Sequence, residues 1–413
     1  MKLLRESPTV IRLLVLAILV SASLALSGGN ARAVDRVGGV EIGTAETPVV
    51  ELPDLSMPAG MLVTADGREL WAREAEQQRA MASTTKIMTA VVVLESAELD
   101  EPVKISAGAA STGESAAGIR AGDTMTVGQL LEAMLVKSGN DAAVALAEHV
   151  AGGEESFVGR MNQKAAELDL QHTHFTNPHG LDASEHYTTA SDLATLARYA
   201  MRFDEFARVV GLEETTVNGS NGSTTLQNSN ELIGSYPGAT GIKTGWTNKA
   251  GYCLAAAAER DGVELTAVVL GTDSEDLRFI EARRLLDWGF EHYSMRTVAE
   301  DNDTAGVVAV SDYLDRTVLA VIAEDAEFAV FDIDGEIVSR IDLSNEIKAP
   351  VVSGDRLGTL TVTQDDLLLG QVPIVSAYDV DKPGLFARAR IAVVRAWRFV
   401  FGGPMTAETA VSY

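Results

Sequence analysis

"GATGIKTGWTNKAGYCLAAAAERDGVELTAVVLG", residues 238–271, reads as three consecutive β-strands at about 240–245, 251–259 and 264–270. Apolar and β-favouring residues run between turn signals, and Asp261-Gly262 makes the second turn. Connections this short join antiparallel neighbours. The next run, "DLRFIEARRLLDWGFEHY" (276–293), has helical apolar spacing and can lie over such a sheet. Lys243-Thr244-Gly245 closes the first strand, so a cation, a hydroxyl and a residue without a side chain stand in a row.

Working outward, "MLVTADGRELWARE" (61–74) predicts two more short strands around Asp66-Gly67, and about 100 to 210 is mainly helical. In "AMASTTKIMTAVVVLE" (80–95), Ile87, Met88, Val91, Val92 and Leu94 are apolar almost all round, which predicts a buried helix. At its mouth Ser83 and Lys86 stand three positions apart. A capping box would set Glu or Gln there, at the positive end of the helix dipole, so a lysine has the wrong sign. Either the pair is chance on a poor helix start, or the chemistry needs the cation. In "VGQLLEAMLVKSGNDAAVALAEHVAG" (127–152), Ser138-Gly139-Asn140-Asp141 breaks the apolar spacing, which places Ser138 and Asn140 on a short connection between two helices. Residues 215–230, rich in Gly, Asn, Ser and Thr, read as an exposed loop, and the acidic, aperiodic 34–55 as a linker.

The whole chain sets further bounds. At 413 residues two folded domains are expected, and from 304 to 379 short Val- and Ile-rich runs between Asp-Gly, Ser-Gly and Leu-Gly pairs predict a small all-β domain with its own core. A net charge of -26 argues against nucleic acid or any polyanion as a partner for the body of the protein. Lys2, Arg5 and Arg12, an uncharged Leu13–Leu26 and Ala31-Arg32-Ala33 fit a secretory signal over residues 1–33, hence export. The single cysteine, Cys253, excludes an internal disulfide and reads as a small buried side chain. Four histidines (His172, His174, His179, His186) fall in a turn-rich segment without zinc-site spacing and are expected to satisfy backbone groups; no metal or cofactor is expected. On a helical wheel, 382–403 puts Phe386, Val393, Trp397, Val400 and Phe401 on one arc with Arg388, Arg395 and Arg398 opposite. Its four arginines argue against a spanning helix and for one lying on a membrane surface; the plainer reading is a terminal helix packed on the β domain.

A serine hydroxyl is a poor nucleophile until a base takes its proton. Lys86, one helical turn from Ser83, can be that base only if burial and a second cation lower its usual value near 10.4 by roughly 3 to 5 units. Ser138 can relay a proton to a leaving nitrogen, and Asn140 can hold both Lys86 and a substrate amide. Lys243 and Thr244 offer a cation and a hydroxyl to a carboxylate, and Gly245 lets an extended peptide approach the strand edge. Backbone N–H groups of Ser83 and Trp246 are the candidates for holding the oxyanion.

Ser83/Lys86, Ser138/Asn140 and Lys243/Thr244/Gly245 follow one another in the order and at the separations of the S-x-x-K, S-x-N and K-T-G motifs of serine penicillin-binding proteins. With "KSGNDAAVALAEHVAG" and "TNPHGLDASEHYTTASDLATLARYAM", the chain over about 55–402 resembles low-molecular-mass penicillin-binding proteins of the D-alanyl-D-alanine carboxypeptidase type. That resemblance implies an α+β fold. A penicillin-binding/β-lactamase-like domain (56–298), an antiparallel sheet flanked by helices with a helical insertion, precedes the all-β domain (304–379) and the C-terminal amphipathic helix (382–403). It also implies that Arg278 helps bind a terminal carboxylate, that the substrate is a peptidoglycan stem peptide ending in D-Ala-D-Ala, that β-lactams acylate Ser83, and that the enzyme works at the outer face of the cytoplasmic membrane, in the periplasm or in the cell wall. The competing readings are a serine β-lactamase, a DD-endopeptidase and a non-hydrolytic penicillin-binding sensor. Ser138-Gly139-Asn140 in place of S-D-N, the extra β domain and the basic tail favour the carboxypeptidase over the β-lactamase.

Overall fold

The computed structural model describes residues 34–42, 51–220, 222–365 and 367–412; the expected secretory signal lies outside them. Its central sheet is antiparallel throughout. The strands are β1 (Asp35–Val37), β2 (Val40–Glu41), β3 (Ala59–Thr64), β4 (Glu69–Arg73) and, beyond a helical insertion, β9 (Ala239–Thr247), β10 (Gly251–Arg260) and β11 (Val263–Thr272), in the order β2-β1-β4-β3-β11-β10-β9. β3 pairs with β11, so chain segments far apart in sequence close one sheet and leave β9 at its edge.

Both faces of this sheet are covered. Along β10, Cys253, Ala255 and Ala257 face one core and Leu254, Ala256 and Ala258 the other, the two-residue alternation of a strand. Small side chains on both faces let helices approach closely. One face takes the insertion: α1 (Lys86–Leu94), β5 (Pro102–Lys104), the single turn α2 (Ala107–Ala110), β6 (Thr124–Thr126), α3 (Val127–Val136), α4 (Asn140–Ala151), α5 (Glu154–Glu167), α6 (Ala190–Met201) and α7 (Asp204–Val210). The other takes α8 (Glu275–His292), which buries Phe279, Ala282, Leu285 and Leu286. Ser274 caps α8 by accepting from Leu277 N–H at 3.2 Å.

Three expectations are corrected here. Residues 215–230 are not a loop: β7 (Glu214–Gly219) and β8 (Gly222–Gln227) pair as a hairpin. Most of its side chains are polar, which hides the alternation; Thr215, Val217 and Leu226 point inward and Thr216 and Thr225 outward. The start of 34–55 is not a tether, because Arg36 pairs with Glu69 at 2.8 Å, Arg73 grips Asp35 at 2.5 and 2.7 Å, and Val37 is buried, seating β1 on β4; residues 43–50 lie outside the described residues. The first domain also ends sooner than 298, since β12 (Tyr293–Ala299) leaves α8 directly and pairs with β15 (Ala326–Phe331) of the second domain.

That second domain is all-β. β16 (Ile337–Leu343), β18 (Arg356–Gln364), β19 (Leu367–Ser376), β14 (Thr317–Ile322), β13 (Thr304–Val310) and β17 (Glu346–Ile347) follow one another across its larger sheet. Its core is separate, built from residues such as Val308, Val318, Leu357 and Ile374. Phe331 joins the two domains, edge-on to Trp288 with ring centres 6.0 Å apart and under the Arg68 guanidinium. The last helix, α9 (Leu385–Phe401), buries none of its side chains, and after it the chain returns to add Ala410–Val411 as β20 against β13.

Candidate active site

Ser83 does not sit inside an α-helix. It lies on a 3-10 turn, Ala82–Thr85, that runs into α1 at Lys86. Side chains three apart eclipse on a 3-10 turn, and Lys86 Nζ stands 2.9 Å from Ser83 Oγ. The amine is fully buried and has two further neighbours, Asn140 Oδ1 at 2.7 Å and the His179 carbonyl at 2.6 Å. Asn140 opens α4; its Nδ2 donates to Gly113 O at 3.0 Å, which fixes its amide oxygen toward Lys86. Burial above all, then the nearby Lys243 charge, holds Lys86 well below the usual lysine range, with Asp141 opposing.

Ser138 lies on the turn between α3 and α4 with a left-handed φ of +68°, buried, and among the described residues it joins the site through the backbone leading to Asn140 rather than through a hydrogen bond of its own. On β9, Lys243 is 1% exposed and among the described residues its ammonium reaches only Thr244 O at 3.2 Å and Thr244 Oγ1 at 3.5 Å. Desolvation, then the Arg278 charge, pulls it down to about 7. Arg278 rises from α8 beneath the same strand, donating to Gly245 O at 3.3 Å and Glu275 Oε1 at 2.6 Å, while its buried Nε has no hydrogen-bond partner among the described residues. Gly245 needs its missing side chain: a Cβ there would stand 3.0 Å from Ser83 N and from Ala82 Cβ. Trp246 is about half exposed against Tyr252, and with Ser83, Asn140, Gly180, Leu181, Asp182 and Thr247 it lines a cavity of about 710 Å³.

Sequence reasoning missed the loop that closes this cavity. Asn177 Oδ1 accepts from the N–H groups of His179 and Gly180, an Asx turn whose signal is Asn-Pro-His-Gly, and it delivers the His179 carbonyl to Lys86. Asp182 ties the loop to the end of β9, accepting from Thr247 Oγ1 at 2.7 Å and Lys249 N at 3.2 Å. Asp141, 1% exposed, accepts from the N–H groups of Ala117, Gly118 and Ile119 and so holds the far wall. Three of the four histidines serve backbone or hydroxyl groups as expected: His174 Nδ1 meets Glu185 O, His179 Nδ1 accepts from Leu181 N–H, and His186 meets Thr85 and Thr176, whereas the His172 ring faces the Glu76 carboxylate at 3.8 Å.

A hydroxyl against a buried amine of lowered basicity, beside a strand edge that carries the sparsely partnered Lys243 with Arg278 beneath it, is the arrangement of a serine hydrolase acting on a peptide with a terminal carboxylate. The family described as D-alanyl-D-alanine carboxypeptidase matches residues 48–274, and the penicillin-binding protein 5 C-terminal domain matches 293–382. The D-alanyl-D-alanine carboxypeptidase DacF of Bacillus subtilis is 32% identical over 344 residues, 81% of this chain and 88% of that one. Among solved structures, DacD of Francisella tularensis aligns with a TM-score of 0.60 at 28% identity, covering 82% of this chain and 98% of that one. Penicillin-binding protein 5 of Haemophilus influenzae aligns with a TM-score of 0.60 at 26% identity, covering 81% and 100%. The chain belongs to the D-alanyl-D-alanine carboxypeptidase family.

Proposed function

We propose that this protein removes the terminal D-Ala from peptidoglycan pentapeptide stems through an acyl-enzyme on Ser83. Lys86 takes the Ser83 proton as Oγ bonds to the carbonyl carbon of the penultimate D-Ala. The oxyanion is held by the Ser83 and Trp246 N–H groups, and each such donor is worth about 3 to 4 kcal/mol. The C–N bond then breaks as the proton passes by way of Ser138 to the departing amine, and water repeats the sequence to free the serine. Lys243, Thr244 and Arg278 receive the substrate carboxylate, and Asn140 and the β9 edge at Gly245 align its backbone.

The observation that carries this reading is the set of three oxygens around Lys86 Nζ. Two belong to carbonyl groups, which only accept. A neutral amine gives them its two hydrogens and turns its lone pair to the Ser83 hydroxyl; an ammonium gives the third to the serine oxygen. Both ends of the proton transfer are satisfied without movement. Release of D-Ala from a diacetyl-Lys-D-Ala-D-Ala tripeptide tests the reading. Ser83→Ala abolishes both release and penicillin labelling, and turnover persisting in that variant removes Ser83 as the nucleophile. No release by the unaltered protein, with stable labelling, makes it a non-hydrolytic binder.

The same reading places the enzyme outside the cytoplasm, bound to the membrane surface through α9. Support comes from how that helix is mounted: Phe386, Val393, Val400 and Phe401 are exposed, while Arg395 turns inward to the Ser311 and Tyr313 carbonyls of the β domain. No helix among the described residues is long and apolar enough to cross a membrane.

A further inference from the structure

The backbone that carries the nucleophile is held in an unfavourable shape. Ala82 has a left-handed φ of +48°, which costs an alanine about 1 to 2 kcal/mol. Two glycines press on the peptide that joins it to Ser83. A Cβ on Gly180 would run into the Ala82 carbonyl and stand 2.9 Å from Ser83 N, and one on Gly245 would stand 3.0 Å from the same nitrogen.

The carbonyl end of that peptide has a separate anchor. Thr85 Oγ1 donates to Ala82 O at 2.8 Å, and His186 Nε2 lies 2.8 Å from the same hydroxyl oxygen. The partners fix the proton positions. Thr176 N–H donates to His186 Nδ1 at 3.0 Å, so Nδ1 is bare and Nε2 carries the hydrogen. The one hydroxyl proton of Thr85 is spent on Ala82 O, so its oxygen accepts from His186. The imidazole is 4% exposed with its ring at 74° to Phe175, and burial keeps it neutral.

A trans peptide is a rigid plate whose C=O and N–H point opposite ways. Pinning the Ala82 oxygen therefore aims the Ser83 N–H, which donates to no acceptor among the described residues. We propose that His186 is a positioning residue for the oxyanion site: through Thr85 it sets the plane of the Ala82–Ser83 peptide and points the Ser83 N–H into the cleft. His186 lies outside all three motifs, in "DASEHYTTASDL". The inference rests on Ser83 being the nucleophile.

The test compares His186→Ala, His186→Gln, Thr85→Val and the Ala/Val double variant in three assays: D-Ala release from the diacetyl tripeptide, the rate of penicillin acylation, and affinity for a peptidyl boronic acid, whose boron bonds to Ser83 Oγ as a tetrahedral adduct. Misaiming one oxyanion donor costs up to about a hundredfold. His186→Ala is expected to lower kcat by about tenfold to a hundredfold with KM unchanged, and to weaken boronate binding by the same factor. Glutamine can accept from Thr176 N–H and donate to Thr85, so His186→Gln recovers most of the loss. Thr85→Val matches His186→Ala, and the double variant is no worse than either. Equal loss in the Ala and Gln variants, an effect confined to KM, or full activity in His186→Ala overturns the proposal. Should His186→Ala not fold, as judged by thermal melting, Thr85→Val against Thr85→Ser decides it. If the unaltered protein labels with penicillin but releases no D-Ala, the carboxypeptidase reading fails, while acylation and boronate binding still read the relay.

Discussion

Lys243 sits almost wholly inside the protein with no carboxylate beside it among the described residues. Its ammonium is disfavoured by desolvation, which pulls it down to about 7 from the ordinary lysine value. The sign of the consequence follows from linkage: between about 7 and the unfolded value the unfolded chain binds more protons than the folded one, so this group's penalty is full below pH 7 and shrinks as pH rises toward 10.5. Lys243→Met therefore raises the melting temperature at pH 7 while abolishing turnover, and the gap from the unaltered protein closes toward pH 10; a Met variant that melts lower at neutral pH removes the argument. The same two amines shape the rate. In the proposed mechanism Lys86 must be neutral to accept a proton and Lys243 charged to hold a carboxylate, so kcat/KM is expected to be bell-shaped with its alkaline limb near 7 in the free enzyme. A bound carboxylate holds the Lys243 proton more tightly, so in kcat that limb moves to higher pH. A kcat/KM that climbs without a break to pH 10 contradicts this assignment.

At the scale of elements, α8 does two jobs. Its first turns bring Arg278 under the strand edge. One turn further, buried Glu281 accepts from the N–H groups of Ser56 and Met57, each at 2.7 Å, and so fixes the entry to β3. Glu281→Ala leaves those donors without a partner and is expected to cost about 3 kcal/mol, read as a lower denaturant midpoint at unchanged slope; a change below about 0.5 kcal/mol, the size of an ordinary surface substitution, removes Glu281 as the anchor. Nothing in the sequence joins Glu281 to Ser56, because the contact spans the whole insertion. What could be read were the local signals: the hairpin around Asp66-Gly67, the three strands from 239 to 272, the helix after them and the break at Ser138. The 3-10 turn at Ser83 looked like the start of the following helix because side chains three apart share a face on both. The β7–β8 hairpin was hidden by its polar residues. Of the proposed site, Ser83, Lys86, Asn140 and Lys243 are the candidates that residue type and spacing single out. The His179 carbonyl and Gly180 act through backbone geometry, and Asp141 through a carboxylate that holds the distant 117–119 backbone, none of which a side-chain motif encodes.

For the whole molecule, the proposed membrane contact has to hold a chain of net charge -26 at an anionic surface. Repulsion of the body is screened within a Debye length of about 8 to 10 Å, so a contact confined to one end is enough if it gains apolar burial. In the proposal α9 supplies that contact at the second domain. Phe386 is 94% exposed and Val393 70%, and burying such a side chain in the acyl boundary is worth about 1.5 to 3 kcal/mol. The helix is also tied down at both ends: Tyr313 Oη donates to Asp381 O just before it, and β20 pairs with β13 after it. Its apolar face therefore stays outward instead of folding back on the β domain. Phe386→Glu with Val393→Glu removes two of these contacts and adds two charges of the repelled sign. The pair is expected to lower co-sedimentation with phosphatidylglycerol vesicles at least about tenfold, with melting temperature and tripeptide turnover unchanged because neither side chain packs on the protein. Removing everything after Val380 abolishes vesicle binding altogether in a protein expressed without residues 1–33. Raised salt weakens what the exposed arginines add, but leaves the apolar part of the binding. Vesicle binding that survives both the glutamate pair and the truncation assigns the membrane contact to another face of the molecule.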